Sequence, residues 1–238
     1  MLPIALSLLL AITFTRAAPV EQDNLAFAAE VLGSVTPQQM SCLRDANYRV
    51  ALVEAYTDGQ FIPDSIPNAW FAVTTGMGVE IYMTPNALHS KTAKQQVDET
   101  IQGLISKGLT IKQLWVKITD VSKWTPSIMF NDNFLGEVMA AINAHGRKVG
   151  IITNSAAFYE ITPGLGYYMH NVKLWYGNSK LVTCDRVEEN QTANFNDFKS
   201  FADWTKPDAK ECCVGRKLCD ITVNSNVVSK DSIWTPPS

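Results

Sequence analysis

Three carboxylates sit in or at the end of β-rich segments, and hydrolytic chemistry would depend on such groups. Glu54 lies near the end of Tyr48-Arg49-Val50-Ala51-Leu52-Val53-Glu54-Ala55-Tyr56, Glu80 lies within Val79-Glu80-Ile81-Tyr82-Met83, and Asp120 ends Leu114-Trp115-Val116-Lys117-Ile118-Thr119-Asp120. Pairs of carboxyl groups can donate and accept the proton of general acid–base hydrolysis. In the third segment, alternation along a strand places Lys117 and Thr119 on one face and turns Asp120 to the other. Asp120 reads first as the cap of the turn Val121-Ser122-Lys123 and second as an acid. Glu54 and Glu80 read either as acids or as the counter-charge that a buried Lys117 requires.

Other chemistries find less support. His89, His145 and His170 are scattered, with no two at metal-ligand spacing. His145-Gly146 instead suits the negative end of a helix. Asn154-Ser155 lacks the G-x-S-x-G context of a strained nucleophile, and neither G-x-G-x-x-G nor a G-K-[ST] loop is present, so no nucleotide cofactor is expected. The cysteines are Cys42, Cys184, Cys212, Cys213 and Cys219. Outside the cell they would form disulfides, stapling the C-terminal quarter and leaving one thiol over. A zinc site from Cys212, Cys213 and Cys219 is the alternative, weakened by the missing C-x-x-C pair and the missing nearby His.

The elements that would position these groups alternate in type. Strands are expected over 48–56, 79–83, 114–119, 148–153 and 172–176. A helix or turn is expected near Pro67 to Ala72. An apolar stripe at Ala93, Val97, Ile101, Leu104 and Ile105 predicts a helix ended by Lys107-Gly108. A second helix, capped by Asn131 or Asp132, carries Phe134, Leu135, Val138, Met139 and Ile142 on one face and stops at His145-Gly146. Strand–helix–strand units at this spacing argue for a mainly parallel sheet. For one domain of this length the expectation is an α/β fold, an irregular TIM-type β/α barrel over residues 25–230, with an open doubly wound sheet second. A barrel would gather Glu54, Lys117, Thr119, Thr153 and Tyr176 at the C-terminal ends of its strands.

With 46% hydrophobic and 18% charged residues, the chain can bury a sizeable core, and its net charge of -3 argues against nucleic acid or anionic membrane as partner. The apolar run Met1–Phe14 followed by Thr15-Arg16-Ala17-Ala18 reads as a signal peptide over residues 1–18, too short for a membrane span, which predicts a secreted protein. Asn190-Gln191-Thr192 is an N-glycosylation acceptor expected on an exposed loop. Six Trp and seven Tyr suit either core packing or contact with sugar faces.

The order Cys42-Leu43, Tyr48 to Val53, Leu114-Trp115-Val116, His145-Gly146-Arg147-Lys148-Val149-Gly150-Ile151, Leu174-Trp175-Tyr176 and Trp204-Thr205-Lys206-Pro207 resembles the nematode-type lysozymes of glycoside hydrolase family 25. The resemblance runs from about Glu30 to Val228. It implies a secreted β/α barrel that cleaves the muramic-acid linkage of bacterial peptidoglycan in defence or digestion. It also implies a first-strand acid, a D-x-E pair on the 114–119 strand, and later acids. Here the first acid falls on Glu30, the D-x-E pair on Lys117 and Thr119, and the later acids on Lys180 and Asn224. Catalysis of the inherited kind is therefore expected to be lost, leaving glycan binding through Lys117, Trp115 and Tyr176, where Lys117 could meet a muramic-acid carboxylate. The alternatives are an active lysozyme with relocated acids (Glu54, Glu80 or Asp120) and a signalling or interaction protein on the same scaffold.

Overall fold

The structure is a computed structural model and describes residues 24–177 and 185–232. The leader expected at 1–18, Lys180 and Cys184 lie outside the described residues.

The chain opens with Leu25–Val31 (β1), followed by Pro37–Asp45 (α1), Tyr48–Thr57 (β2) and the short Gln60–Phe61 (β3). Next come Ser65–Thr74 (α2), Gly78–Met83 (β4), Ala93–Ile105 (α3), Gln113–Lys117 (β5), Ile128–Ala144 (α4) and Lys148–Thr153 (β6). The last elements are Ser155–Ile161 (α5), Lys173–Tyr176 (β7), Arg186–Thr192 (α6), Ala209–Leu218 (β8) and Ile221–Ser229 (β9). The parallel strands are buried almost continuously because helices cover one face and the barrel interior the other.

The helices start where side chains can satisfy their first amides. Thr36 and Thr92 each form a complete capping box, with Gln39 and Gln95 respectively. The α4 cap differs from expectation. Ser127 Oγ accepts from the Phe130 amide, so the helix is capped four residues before Asn131. Asn131 is buried inside α4 and clamps the preceding loop through Thr125.

Eight strands close on themselves in the order β1, β2, β4, β5, β6, β7, β8, β9 and back to β1, with β3 appended to the end of β2. Neighbours are parallel from β1 through β8, whereas β9 is antiparallel to both β8 and β1. Closure overturns the open-sheet alternative. The barrel interior is filled by Ala28, Val50, Leu52, Tyr82, Trp115, Ile152, Trp175, Ala209 and Val228. Trp115 and Trp175 meet edge to face, with ring centroids 5.2 Å apart. Gly150 makes room for this pair, since a Cβ there would lie 2.3 Å from the Trp115 ring.

A disulfide joins distant parts of the chain. Cys42 on α1 is bonded to Cys219 at the β8–β9 turn, 177 residues later. That turn places Cys219 and Asp220 both at positive φ (56° and 59°), the twist that a tight hairpin needs. Cys213 is also disulfide-bonded, so it and Cys219 are removed as zinc ligands; Cys212 is the free, buried thiol. Among the described residues no helix is long and apolar enough to cross a membrane. The Asn190 acceptor sits on α6 and not on a loop, although it is exposed. Asp185 and Glu188 bond each other's backbone amides and start that helix.

Candidate functional site

The C-terminal ends of the parallel strands bring one charged cluster together. Glu30, near the end of β1, is only 2% exposed. Register places it opposite Asn224 of β9, whose Nδ2 donates to Glu30 Oε2 at 2.6 Å. Lys117 Nζ from β5 donates to Glu30 Oε1 at 2.7 Å, and the Tyr82 hydroxyl from β4 donates to the same oxygen at 2.7 Å. Lys117 also lies over the Tyr82 ring, 5.0 Å from its centroid. Glu211 from β8 lines the same pocket as Lys117 and Asn224 and feels the Glu30 charge. The site is therefore built by four strands meeting at one carboxylate, with β8 bordering it through Glu211.

The charge states follow from these contacts. Burial alone would raise the Glu30 pKa, but the Lys117 charge and the bonds from Lys117, Tyr82 and Asn224 outweigh it, and the carboxyl is held below its ordinary range. Burial would lower Lys117, yet Glu30 and the neighbouring carboxylates more than offset that, so the ammonium is held above its ordinary value. Glu211 has the opposite fate. Burial and the adjacent Glu30 charge push it up to about 7. Glu54 is raised too, mainly by burial, while accepting from Thr84 Oγ1 at 2.5 Å.

This cluster floors a cleft of ≈ 480 Å³ lined by Lys117, Thr119, Val121, Ile152, Asn154, Glu160, Gly177, Glu211, Val214 and Asn224, among others. A second cavity of ≈ 550 Å³ opens at the opposite, N-terminal end of the barrel between Trp70, Val79, Leu109, Lys148 and Lys173. Strand direction, not size, decides between them. In βα barrels chemistry sits where the parallel strands end.

Several expected site residues are elsewhere. Glu80 lines the N-terminal cavity and accepts the Trp115 indole N–H at 2.7 Å, so it belongs to the barrel floor. Trp115 is fully buried by that contact and by Trp175, which removes it as a sugar-contacting surface. Thr153 and Tyr176 project outward, because Ile152 and Trp175 take the inward positions. Thr153 bonds Ile118 O, and Tyr176 packs edge-on against Phe198. Asp120 caps its turn, accepting from Ser122 N at 3.0 Å and Ser122 Oγ at 2.6 Å, and is exposed. The partner of Lys117 is Glu30, not Glu54. The histidines stay apart. His145 Nε2 meets Asp98 at 2.8 Å, and the His89 ring accepts the Lys91 amide.

Glu211 is the functional candidate that sequence reasoning missed. Its strand reads Ala-Lys-Glu-Cys-Cys-Val-Gly-Arg-Lys-Leu, without clean alternation. Two irregularities of register, between Glu211 and Cys213 and between Cys213 and Arg216, account for that.

A family profile described as lysozyme-like protein 1 matches residues 21–212. Lysozyme-like protein 7 of Caenorhabditis elegans is 34% identical over 88% of this chain and 74% of its own length. Lysozyme-like protein 1 of the same organism is 31% identical over 86% and 68% respectively. Among solved structures, a family GH25 lysozyme from Aspergillus fumigatus superposes with a TM-score of 0.62 at 11% identity, covering 86% of this chain and 93% of that one, a likeness of fold. The barrel, the cleft at the strand ends and these matches together place the chain in the lysozyme-like family related to the glycoside hydrolase family 25 lysozymes.

Proposed function

We propose that this chain is a secreted, glycan-binding member of its family that has lost the inherited muramidase chemistry and serves in defence against bacteria. The observation that carries the reading is the closed ion pair at the cleft floor. Lys117 stands where the resemblance expects an acid, and it neutralises Glu30, the one acid the resemblance leaves in place. Thr119, the other replaced position, lines the cleft and has no usable acidity. The remaining neighbour, Glu211, lines the same cleft and is acted on by the Glu30 charge.

Lys117 cannot serve as a free cation for a muramic-acid carboxylate, because its charge is already used on Glu30 and on the Tyr82 ring. Binding would instead use the Thr119, Asn154, Glu160, Glu211 and Asn224 surfaces of the cleft. The test compares turbidity clearing of bacterial walls with co-sedimentation on insoluble peptidoglycan. We expect retention on the glycan without clearing; clearing by the purified wild type would overturn the reading.

A second reading, an active hydrolase with a relocated acid, has one observation in its favour. Glu211 faces the cleft as a carboxyl that holds its proton to about pH 7, as a general acid should. If clearing is seen and Glu211→Gln abolishes it, this second reading replaces the first.

A further inference from the structure

We propose that the cleft selects glycans carrying free amino groups, that is, de-N-acetylated amino-sugar chains, over chains rich in muramic acid. The inference rests on the glycan-binding reading above and names the chemistry of its ligand.

The argument is one of charge balance on the cleft wall. Among the described lining residues Lys117 is the single cation, and it is bonded to Glu30 at 2.7 Å. Against it stand Glu30 beneath, Glu211 on β8 and Glu160 on the exposed outer turn of α5. Among the described residues, a lactyl carboxylate entering this cleft would find no unspent positive charge and two carboxyl groups beside it. An ammonium would find the reverse.

The uncharged groups point the same way. The Asn224 amide is held with its oxygen on the Gly215 amide and its nitrogen on Glu30, and the Asn154 oxygen caps α5. With those groups committed and the Thr119 hydroxyl uncharged, the groups left to discriminate by charge are the carboxyls of Glu160 and, above about pH 7, of Glu211. These accept hydrogen bonds from an ammonium and repel a carboxylate.

The experiment measures binding of the full mature chain, by calorimetry, to three oligosaccharides of equal length. These are β-1,4-linked glucosamine, its N-acetylated counterpart and a muramic-acid-containing glycan, with hexalysine as a control for unspecific attraction to an acidic protein. The glucosamine oligomer should bind about tenfold more tightly than the N-acetylated one, as one desolvated charge contact provides. The muramic-acid glycan should bind most weakly, and raising the salt should narrow the differences. Glu160→Gln with Glu211→Gln should bring the glucosamine to N-acetylglucosamine ratio down about tenfold, towards one. Glu160→Gln alone, at an exposed helix position that cannot disturb the core, should lower it about threefold.

Binding of the muramic-acid glycan as tight as or tighter than the N-acetylated oligomer would overturn the proposal. So would an unchanged ratio in both variants, or hexalysine binding equal to glucosamine. Absence of binding to all three glycans would instead remove the glycan-binding reading on which the proposal stands.

Discussion

Removing the ammonium of Lys117 would leave Glu30 ionised where water scarcely reaches, with only the Tyr82 hydroxyl and Asn224 donating to it. Breaking one side of a buried pair costs about 3–5 kcal/mol, mostly the penalty of the orphaned charge. Lys117→Met should therefore lower stability by that amount in denaturant titration, and Glu30→Gln with Lys117→Met should recover most of it. Glu211 makes the complementary prediction. Its folded pKa, about 7, lies above the ordinary 4.5, so unfolding releases its proton and its contribution falls as pH rises between those values. Glu211→Gln should thus be more stable than wild type at pH 8, by an amount of the order of 1–3 kcal/mol, and lose that advantage near pH 5. Glu30 acts in the opposite sense. Its lowered pKa stabilises the fold above the ordinary carboxylate range, and that support is lost as pH falls through the folded value. Thermal melts of wild type and Glu211→Gln across pH 3–9 would resolve both limbs.

At the level of elements, the sequence was legible wherever period and punctuation agreed. Tyr48–Thr57, Gly78–Met83 and Lys148–Thr153 fall close to the expected strands, and Ala93–Ile105 follows its apolar stripe from Thr92. It was not legible where irregular pairing hides the period, as in β8, or where a polar strand serves the site, as in β9 with Asn224, Ser225 and Asn226. The Lys117 ion pair was expected in kind but assigned to the wrong strand, because β1 meets β5 only through closure of the ring. Trp115 shows how an aromatic that looks like a sugar platform becomes core once its N–H finds Glu80. The same ring fixes Gly150. Gly150→Ala should push its methyl into Trp115 and cost about 1–3 kcal/mol, measured as a lower denaturation midpoint. Thr92→Ala, which only uncaps α3, should cost about 1 kcal/mol in the same assay.

Over the whole molecule, the barrel is held by contacts between residues far apart in sequence. The Cys42–Cys219 bond ties α1 to the β8–β9 turn across 177 residues. Loop-closure entropy assigns a cross-link of this span about 5 kcal/mol. Replacing both cysteines by serine should therefore lower the melting temperature markedly while leaving Cys213 oxidised. Cys212 stays out of this chemistry, because burial, the first and largest cause, pushes its thiol up to about 12 and leaves almost no thiolate to attack a disulfide.

β1 is hydrogen-bonded on one edge to β2, 20 or so residues later, and on the other to β9, from Leu25 opposite Ser229 to Val31 opposite Val223. During synthesis the first edge can be covered early, but the second waits until nearly all of the described chain has been made. Until then a strand of seven residues, five of them Ala, Val or Leu, presents unpaired amides and carbonyls to whatever is nearby. The nascent chain thus has a long interval in which pairing with a neighbouring molecule competes with pairing with itself. Yield on expression should then depend on how quickly β9 reaches β1, and slowing the last strand should favour aggregates seeded at Leu25–Val31.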